Sequence, residues 1–473
     1  MSDKDLQDLL ALLDGSVSIQ DGKAIIKDAA RLRKSIHKLA EVSALENGRR
    51  QGLARYLTRL IALEAGAIPS SINALYLARG KGKVPFTFSV PAVNLRILSF
   101  EAARAVFRAA LSLNTGSFIF EIARSEMGYT DQRPPEYVTN VLAAAIAEGY
   151  RGPVFIQGDH FQVSAKRYAS TPDAELQALK DLIVEALSAG FFNIDIDTST
   201  LVDLSKTSIP EQQYLNTHIS AMFTAFIRSM EPKELTISVG GEIGEVGGHN
   251  STEEELCAYM EGYKAELKKL APGATGISKI SIQTGTSHGG VVLPDGSIAS
   301  VDVDFGTLLQ LSRVARNEFG MGGAVQHGAS TLPENAFGKF VESECVEVHL
   351  ATNFQNMFFE RIPDDLRQQI YAYLDEKSAA ERKPGMTGEQ FYYKTRKNAV
   401  GPFKKQTWGL PAEKRAEIGK AWEEQFHKLF TLLGLKDTRK YVDQTVKPVA
   451  VAPNLKFYLG EAAGEGDVSD LAD

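Results

Sequence analysis

Pro153-Val154-Phe155-Ile156-Gln157-Gly158-Asp159-His160 decides the reading of this chain. An apolar run of strand length ends in glycine and then delivers a carboxylate and an imidazole side by side. Two further histidines arrive in the same way. Ser281-Ile282-Gln283-Thr284-Gly285-Thr286-Ser287 leads into His288-Gly289-Gly290, and Gly323-Ala324-Val325-Gln326 leads into His327-Gly328-Ala329-Ser330. The shared pattern is a β-rich run, a histidine, then glycine.

Working outward, residues 84 to 358 alternate short β-rich runs with amphipathic helical stretches. The spacing predicts strands at 86–93, 117–122, 153–157, 192–197, 235–239, 277–283, 324–327 and 346–350. Helices are expected between them, several opened by capping chemistry such as Thr252 followed by Glu255. Eight βα units in about 270 residues fit a closed (β/α)8 TIM barrel better than an open doubly wound sheet. Catalytic groups should then follow the strands at the C-terminal face. Polar residues do collect there: Asn94, Glu121, Asp159, His160, Asp195, Asp197, Glu242, His288, His327, His349 and Thr352.

Leu6, Leu9, Leu10 and Leu13 recur at helical spacing, as do Leu53, Tyr56, Leu57, Leu60 and Leu63, so residues 1–83 read as a helical N-terminal extension. Residues 359–459 read as a helical, partly basic C-terminal extension, and 460–473 as an acidic tail expected to be disordered. With 52 Lys and Arg against 59 Asp and Glu, the net charge of −7 argues against a general nucleic-acid surface. No run of about 18 apolar residues predicts a membrane span. The polar start and only two cysteines, Cys257 and Cys345, place the chain in the cytoplasm by expectation.

Three imidazoles gathered from separate strands suit catalytic zinc, which takes three protein ligands and keeps one position for substrate or water. His160, His288 and His327 are the candidate set. Glu242 is a fourth ligand or a nearby carboxylate, and Asp197 either orients a ligand or serves an alternate metal position. Asp159 is placed to exchange a proton with a metal-bound substrate. Cobalt or iron would also suit histidine ligands.

In their order along the chain, these motifs resemble the class II, metal-dependent fructose-bisphosphate and tagatose-bisphosphate aldolases. The resemblance is carried by Val90-Pro91-Ala92-Val93-Asn94, Asp159-His160, Ile196-Asp197, Glu242-Ile243-Gly244 with Gly247-Gly248, Ser287-His288-Gly289, His327-Gly328-Ala329-Ser330 and Ala351-Thr352. It implies a TIM barrel with zinc on His160, His288 and His327, and Asp159 handling the proton of the C4 hydroxyl. It also implies substrate and phosphate contacts from Asn94, Gly289, Gly328, Ser330, His349 and Thr352, with Arg396 in Tyr392-Tyr393-Lys394-Thr395-Arg396 reaching a far phosphate. The activity implied is reversible cleavage of a ketose bisphosphate, fructose 1,6-bisphosphate first, by a homo-oligomer.

The chain departs from the family after Gly247-Gly248, where His249-Asn250-Ser251 replaces a longer loop carrying a catalytic glutamate. Either His249 or one of Glu245, Glu253 and Glu254 is expected to replace it as base, or proton exchange is slow, or the substrate differs. Glu347 and His349 stand where the family has lysine and asparagine, and Val291-Val292-Leu293 replaces an aromatic-lysine pair. The alternatives are therefore an aldolase for another phosphorylated or modified ketose, a noncatalytic barrel subunit, or a metal-dependent hydrolase.

Overall fold

The computed structural model describes residues 4–244, 249–285 and 303–461. Among the strands, β1 (Val17–Gln20), β2 (Lys23–Ile26) and β3 (Ala67–Ser70) lie in the N-terminal extension. Then follow β4 (Val90–Asn94), β5 (Ile119–Ala123), β6 (Gly152–Gln162), β7 (Asn193–Asp197), β8 (Ser238–Glu242), β9 (Lys279–Ser281), β10 (Ala324–Gln326) and β11 (Glu347–Leu350). From β4 to β11 each strand pairs in parallel with the next, and β11 returns to β4. The result is a closed eight-stranded (β/α)8 barrel, as the alternation predicts.

The register places one set of side chains inside. Ile119 and Glu121 lie beside Phe155 and Gln157, Asp195 beside Gly240, Gly240 beside Lys279, and Val325 beside Glu347. Because side chains alternate along a strand, the interior divides into levels. The lowest is apolar, with Val90, Ala92, Ile119, Phe155 and Val325 in one buried cluster. Above it lie Glu121, Gln157, Asp195, Lys279 and Glu347. The C-terminal mouth holds Asp159, Asp197, Glu242, Ser281, His327 and His349. Barrel interiors are ordinarily filled by branched apolar residues, so a charged middle level is a departure that function must account for.

The extensions are mainly helical, but the N-terminal one is more than helices. It contains the β1–β2 hairpin, and β3 pairs with the first half of β6, while the second half of β6 pairs with β7. The helix that follows, Asn73–Gly80, closes the bottom of the barrel. Its Ile72 and Tyr76 join the apolar floor, and the Tyr76 hydroxyl donates to Glu347 Oε2 inside. The C-terminal helix Ala412–Leu432 packs along the barrel helix Ser99–Ser112, with Trp422 Nε1 donating to the carbonyl of Phe354. Among the described residues, no helix is long and apolar enough to cross a membrane.

Gly240 is required by this interior. A Cβ there would lie 2.3 Å from Asp195 Oδ1 and 2.9 Å from Lys279 Cε. Gly240→Ala is expected to destabilise the fold by about 1–3 kcal/mol through overpacking. A urea midpoint equal to that of the parent would contradict this packing.

Candidate metal and active site

Asp159 and His160 are neighbours in sequence, and in a regular strand they would point to opposite faces. The pairing of β6 with β7 slips between Gly158 and Phe161, and His160 takes φ +39°. A bulge of this kind re-aims a side chain, and here it turns the His160 imidazole into the mouth beside Asp159. Left-handed backbone at a non-glycine residue costs about 1–3 kcal/mol. Gly158 permits the bulge, since a Cβ there would sit 2.3 Å from the Phe161 ring.

Two imidazoles then meet. His160 Nε2 lies 3.1 Å from His327 Nδ1. Each ring is fixed from its outer side, His160 by Nδ1 against Asp197 Oδ2 at 3.1 Å and His327 by Nε2 against Ser281 Oγ at 3.0 Å. Asp197 is itself held by Gln162 and by the backbone and hydroxyl of Ser199. If only the outer nitrogens carry protons, the inner pair present lone pairs to each other and a bound cation would relieve their repulsion; if His160 is doubly protonated, its Nε2–H donates to His327 Nδ1 instead. Two nitrogens bound to one tetrahedral zinc at about 2.0–2.1 Å lie about 3.3 Å apart, close to the spacing found. Glu242 Oε2 stands 3.4 Å from His160 Nδ1, and one ligand atom from each of His160, Glu242 and His327 falls within 4.8 Å of the others. The donor set therefore fits a divalent metal, with Asp197 and Ser281 as its orienting partners.

The electrostatics call for positive charge in the mouth, which a metal or protons on the imidazoles would supply. Glu121, Asp159, Asp195, Asp197, Glu242 and Glu347 line the interior against one amine among the described residues, Lys279. Burial favours a neutral imidazole at His160, but Asp159, Glu242 and Asp197 hold its pKa well above the ordinary value. His349 is raised in the same way by Glu121 and Asp159 against the effect of burial. Burial together with the charge of Asp159 pushes Glu121 up to about 8. Glu347 goes the other way: burial opposes ionisation, yet Lys279 and His349 hold it at about 2.

The remaining expected residues are distributed as follows. Asn94 caps β4 and donates to Glu126 Oε2 at 2.5 Å, in a pair that Arg96 completes. Gly328 adopts φ +70°, which suits glycine, and opens the turn carrying Ser330. Ser330 Oγ accepts the backbone N–H of Ala351 at 2.5 Å, and Thr352 begins the helix Thr352–Arg361. Ser330, Asn353, Asn356 and Gln425 line a cavity of about 200 Å³ beside the mouth. Arg396 is not an exposed loop residue. Its guanidinium donates to Asn356 Oδ1 and stacks over Tyr393 at 4.2 Å, which puts it behind that wall. His349 differs from expectation more sharply. It is 5% exposed, on the inner side of the mouth, with Nε2 at 2.8 Å from Glu347 Oε1 and Nδ1 at 2.9 Å from Glu121 Oε2. His249 is exposed, contacts Asn250 and Glu255, and makes no hydrogen bond or ion pair with the central cluster among the described residues. Glu245, His288 and Gly289 lie outside the described residues.

Lys279 and Tyr76 were not singled out from sequence. Lys279 had a signal, a charged residue at an inward position of the run Ile277-Ser278-Lys279-Ile280-Ser281-Ile282. Tyr76 had none, because its partner Glu347 is 271 residues away.

A (β/α)8 barrel whose mouth joins histidines and carboxylates from separate strands is an architecture that can hold a divalent metal. The family profile described as fructose-bisphosphate aldolase class-II matches residues 86–407, and the chain belongs to that family. Among solved structures, the fructuronate-tagaturonate epimerase UxaE of Cohnella laeviribosi is similar at 12% identity and TM-score 0.55, over 92% of this chain and 100% of that one. The fructose-bisphosphate aldolase of Campylobacter jejuni is similar at 17% identity and TM-score 0.45, over 76% and 94%. The YdjI aldolase of Escherichia coli K12 gives 13% and 0.45, over 78% and 98%. At these identities the likeness is one of fold. No curated protein matches by sequence.

Proposed function

We propose that this chain is a metal-dependent aldolase acting on an anionic ketose, with fructose 1,6-bisphosphate the first substrate to test and zinc the first metal. The observation that carries the reading is the facing of His160 Nε2 and His327 Nδ1 at 3.1 Å beside Glu242. His160, His327, Glu242 and, by the family resemblance, His288 would hold the metal. When bound, the metal polarises the ketose carbonyl and offsets the charge that develops there as the C3–C4 bond breaks.

The protein's own groups do the rest. Asp159 accepts the C4 hydroxyl proton as the C4–O electrons form the aldehyde and the C3–C4 pair passes to the other fragment. In the condensation direction Asp159 returns that proton. Its Oδ1 lies 3.9 Å from His160 Nε2, so it reaches the point where the substrate oxygens would be held. The cavity at Ser330, Asn353, Asn356 and Gln425, which Glu334 and five apolar side chains complete, would take a hydroxyl-bearing end of the ketose.

A second reading is epimerisation at C4. Bond cleavage, rotation of the aldehyde fragment and renewed bond formation on its other face would use the same residues. It is favoured by the fit to the UxaE epimerase across nearly the whole of both chains, extensions included.

Chelator-sensitive formation of dihydroxyacetone phosphate from fructose 1,6-bisphosphate is the expected result of the first reading. Inversion of a keto-uronate at C4 without release of fragments, followed by NMR, would select the second. His327→Ala is expected to lose the metal and all turnover in either case. Full metal occupancy in that variant would remove His327 from the ligand set. Stoichiometric metal with no turnover on any ketose would favour a noncatalytic barrel, and release of inorganic phosphate a hydrolase.

A further inference from the structure

We infer that His349 is the positioning residue for Asp159, braced from below by the buried Glu347–Lys279 pair; this rests on Asp159 having the role proposed above. His349 stands two residues beyond Glu347 on β11, so both side chains face the interior. Its Nε2 lies 2.8 Å from Glu347 Oε1, and its Nδ1 lies 2.9 Å from Glu121 Oε2 and 3.3 Å from Asp159 Oδ1. The ring spans the gap between the charged middle level and the mouth.

Glu347 is a rigid footing. It is fully buried and takes Lys279 Nζ at 2.5 Å, Gln157 Nε2 at 2.9 Å and the Tyr76 hydroxyl. Turning it would strip several hydrogen bonds in a medium without water to replace them. The imidazole is therefore held at one end by its hydrogen bond to a carboxylate that is itself fixed, and its other end packs between Glu121 at 2.9 Å and Asp159 at 3.3 Å without hydrogen-bond geometry to either. Without the ring, the space between Asp159 and Glu121 is left empty and Asp159 loses the neighbour that limits its rotation. Asp159 would then turn from the metal side.

A purely structural ion-pair network would give a different result from a positioning one. On the positioning account, His349→Leu keeps its metal and its KM within about threefold while kcat falls about 10- to 100-fold, the range for groups that orient a functional residue. His349→Gln, which retains a donor, recovers part of that loss and covers the case in which the leucine variant does not fold. Unchanged kcat per folded molecule in whichever variant folds would overturn the inference.

A second readout does not depend on turnover. In protein labelled with ¹⁵N-histidine, which has eight histidines to assign, Asp159→Asn should shift the His349 Nδ1 resonance and leave Nε2 nearly in place. Glu347→Gln should do the reverse. A His349 spectrum indifferent to Asp159→Asn would overturn the inference even if the parent cleaves no ketose, the outcome that defeats the proposed function alone.

Discussion

Asp159→Asn retains its divalent metal and loses turnover by about 10²–10⁴-fold, the usual contribution of a positioned acid or base. The substitution keeps the shape of the side chain and its place at the bulge in β6, and it removes only the ability to accept a proton. The metal is expected to stay because His160 is fixed by Asp197 and His327 by Ser281, and neither contact passes through Asp159. Metal analysis and single-turnover kinetics on the same preparation separate the two effects. Loss of the metal together with activity would make Asp159 a ligand. Undiminished turnover would leave the C4 proton to another group.

Lys279→Met is expected to cost about 3–5 kcal/mol of stability, because removing one partner of a buried ion pair strands the other. Two carboxylates depend on this amine, Glu347 at 2.5 Å and Asp195 at 2.8 Å, and the lysine side chain is 1% exposed. Methionine keeps the unbranched stem as far as the Cε position and supplies no charge. Replacing Glu347 by leucine in the same chain should recover part of the loss, since a buried pair exchanged for apolar residues is often neutral. Denaturant unfolding of the single and double variants measures both. A single variant within 0.5 kcal/mol of the parent, about the spread of neutral surface changes, would mean that the interior is hydrated or protonated enough not to need the lysine.

The barrel was legible because its eight strands fall in short β-rich runs with punctuated ends, and all eight predicted runs contain or overlap a strand. The mouth was legible for the same reason: Asp159, His160, Asp197, Glu242 and His327 are polar residues at the ends of apolar runs. What could not be read is what depends on register. The bulge that puts Asp159 and His160 on one side is a property of the pairing of β6 with β7, and nothing in Gly158-Asp159-His160 alone dictates it. His349 was expected at the substrate through the family resemblance, but the facing of its two ring nitrogens toward buried Glu121 and Glu347 depends on the register of neighbouring strands. The β1–β2 hairpin did have a local signal in Asp21-Gly22, a tight-turn dipeptide between alternating residues, and both residues have positive φ, 49° and 74°. β3 was hidden by Pro69, which removes a ladder donor and belongs at edges and strand starts.

The plug formed by β3 and the helix Asn73–Gly80 has a bearing on how the chain reaches its fold. These residues emerge early in synthesis. β3 can find its partner in β6 once about 155 residues exist, but the Tyr76 hydroxyl has no acceptor until Glu347 has been made, 271 residues later. The entropic cost of closing so long a loop rises only with the logarithm of its length, so the contact is not forbidden, only late. The plug is thus completed in two stages, since β3 needs only β6 for its pairing while the Tyr76 contact waits for β11.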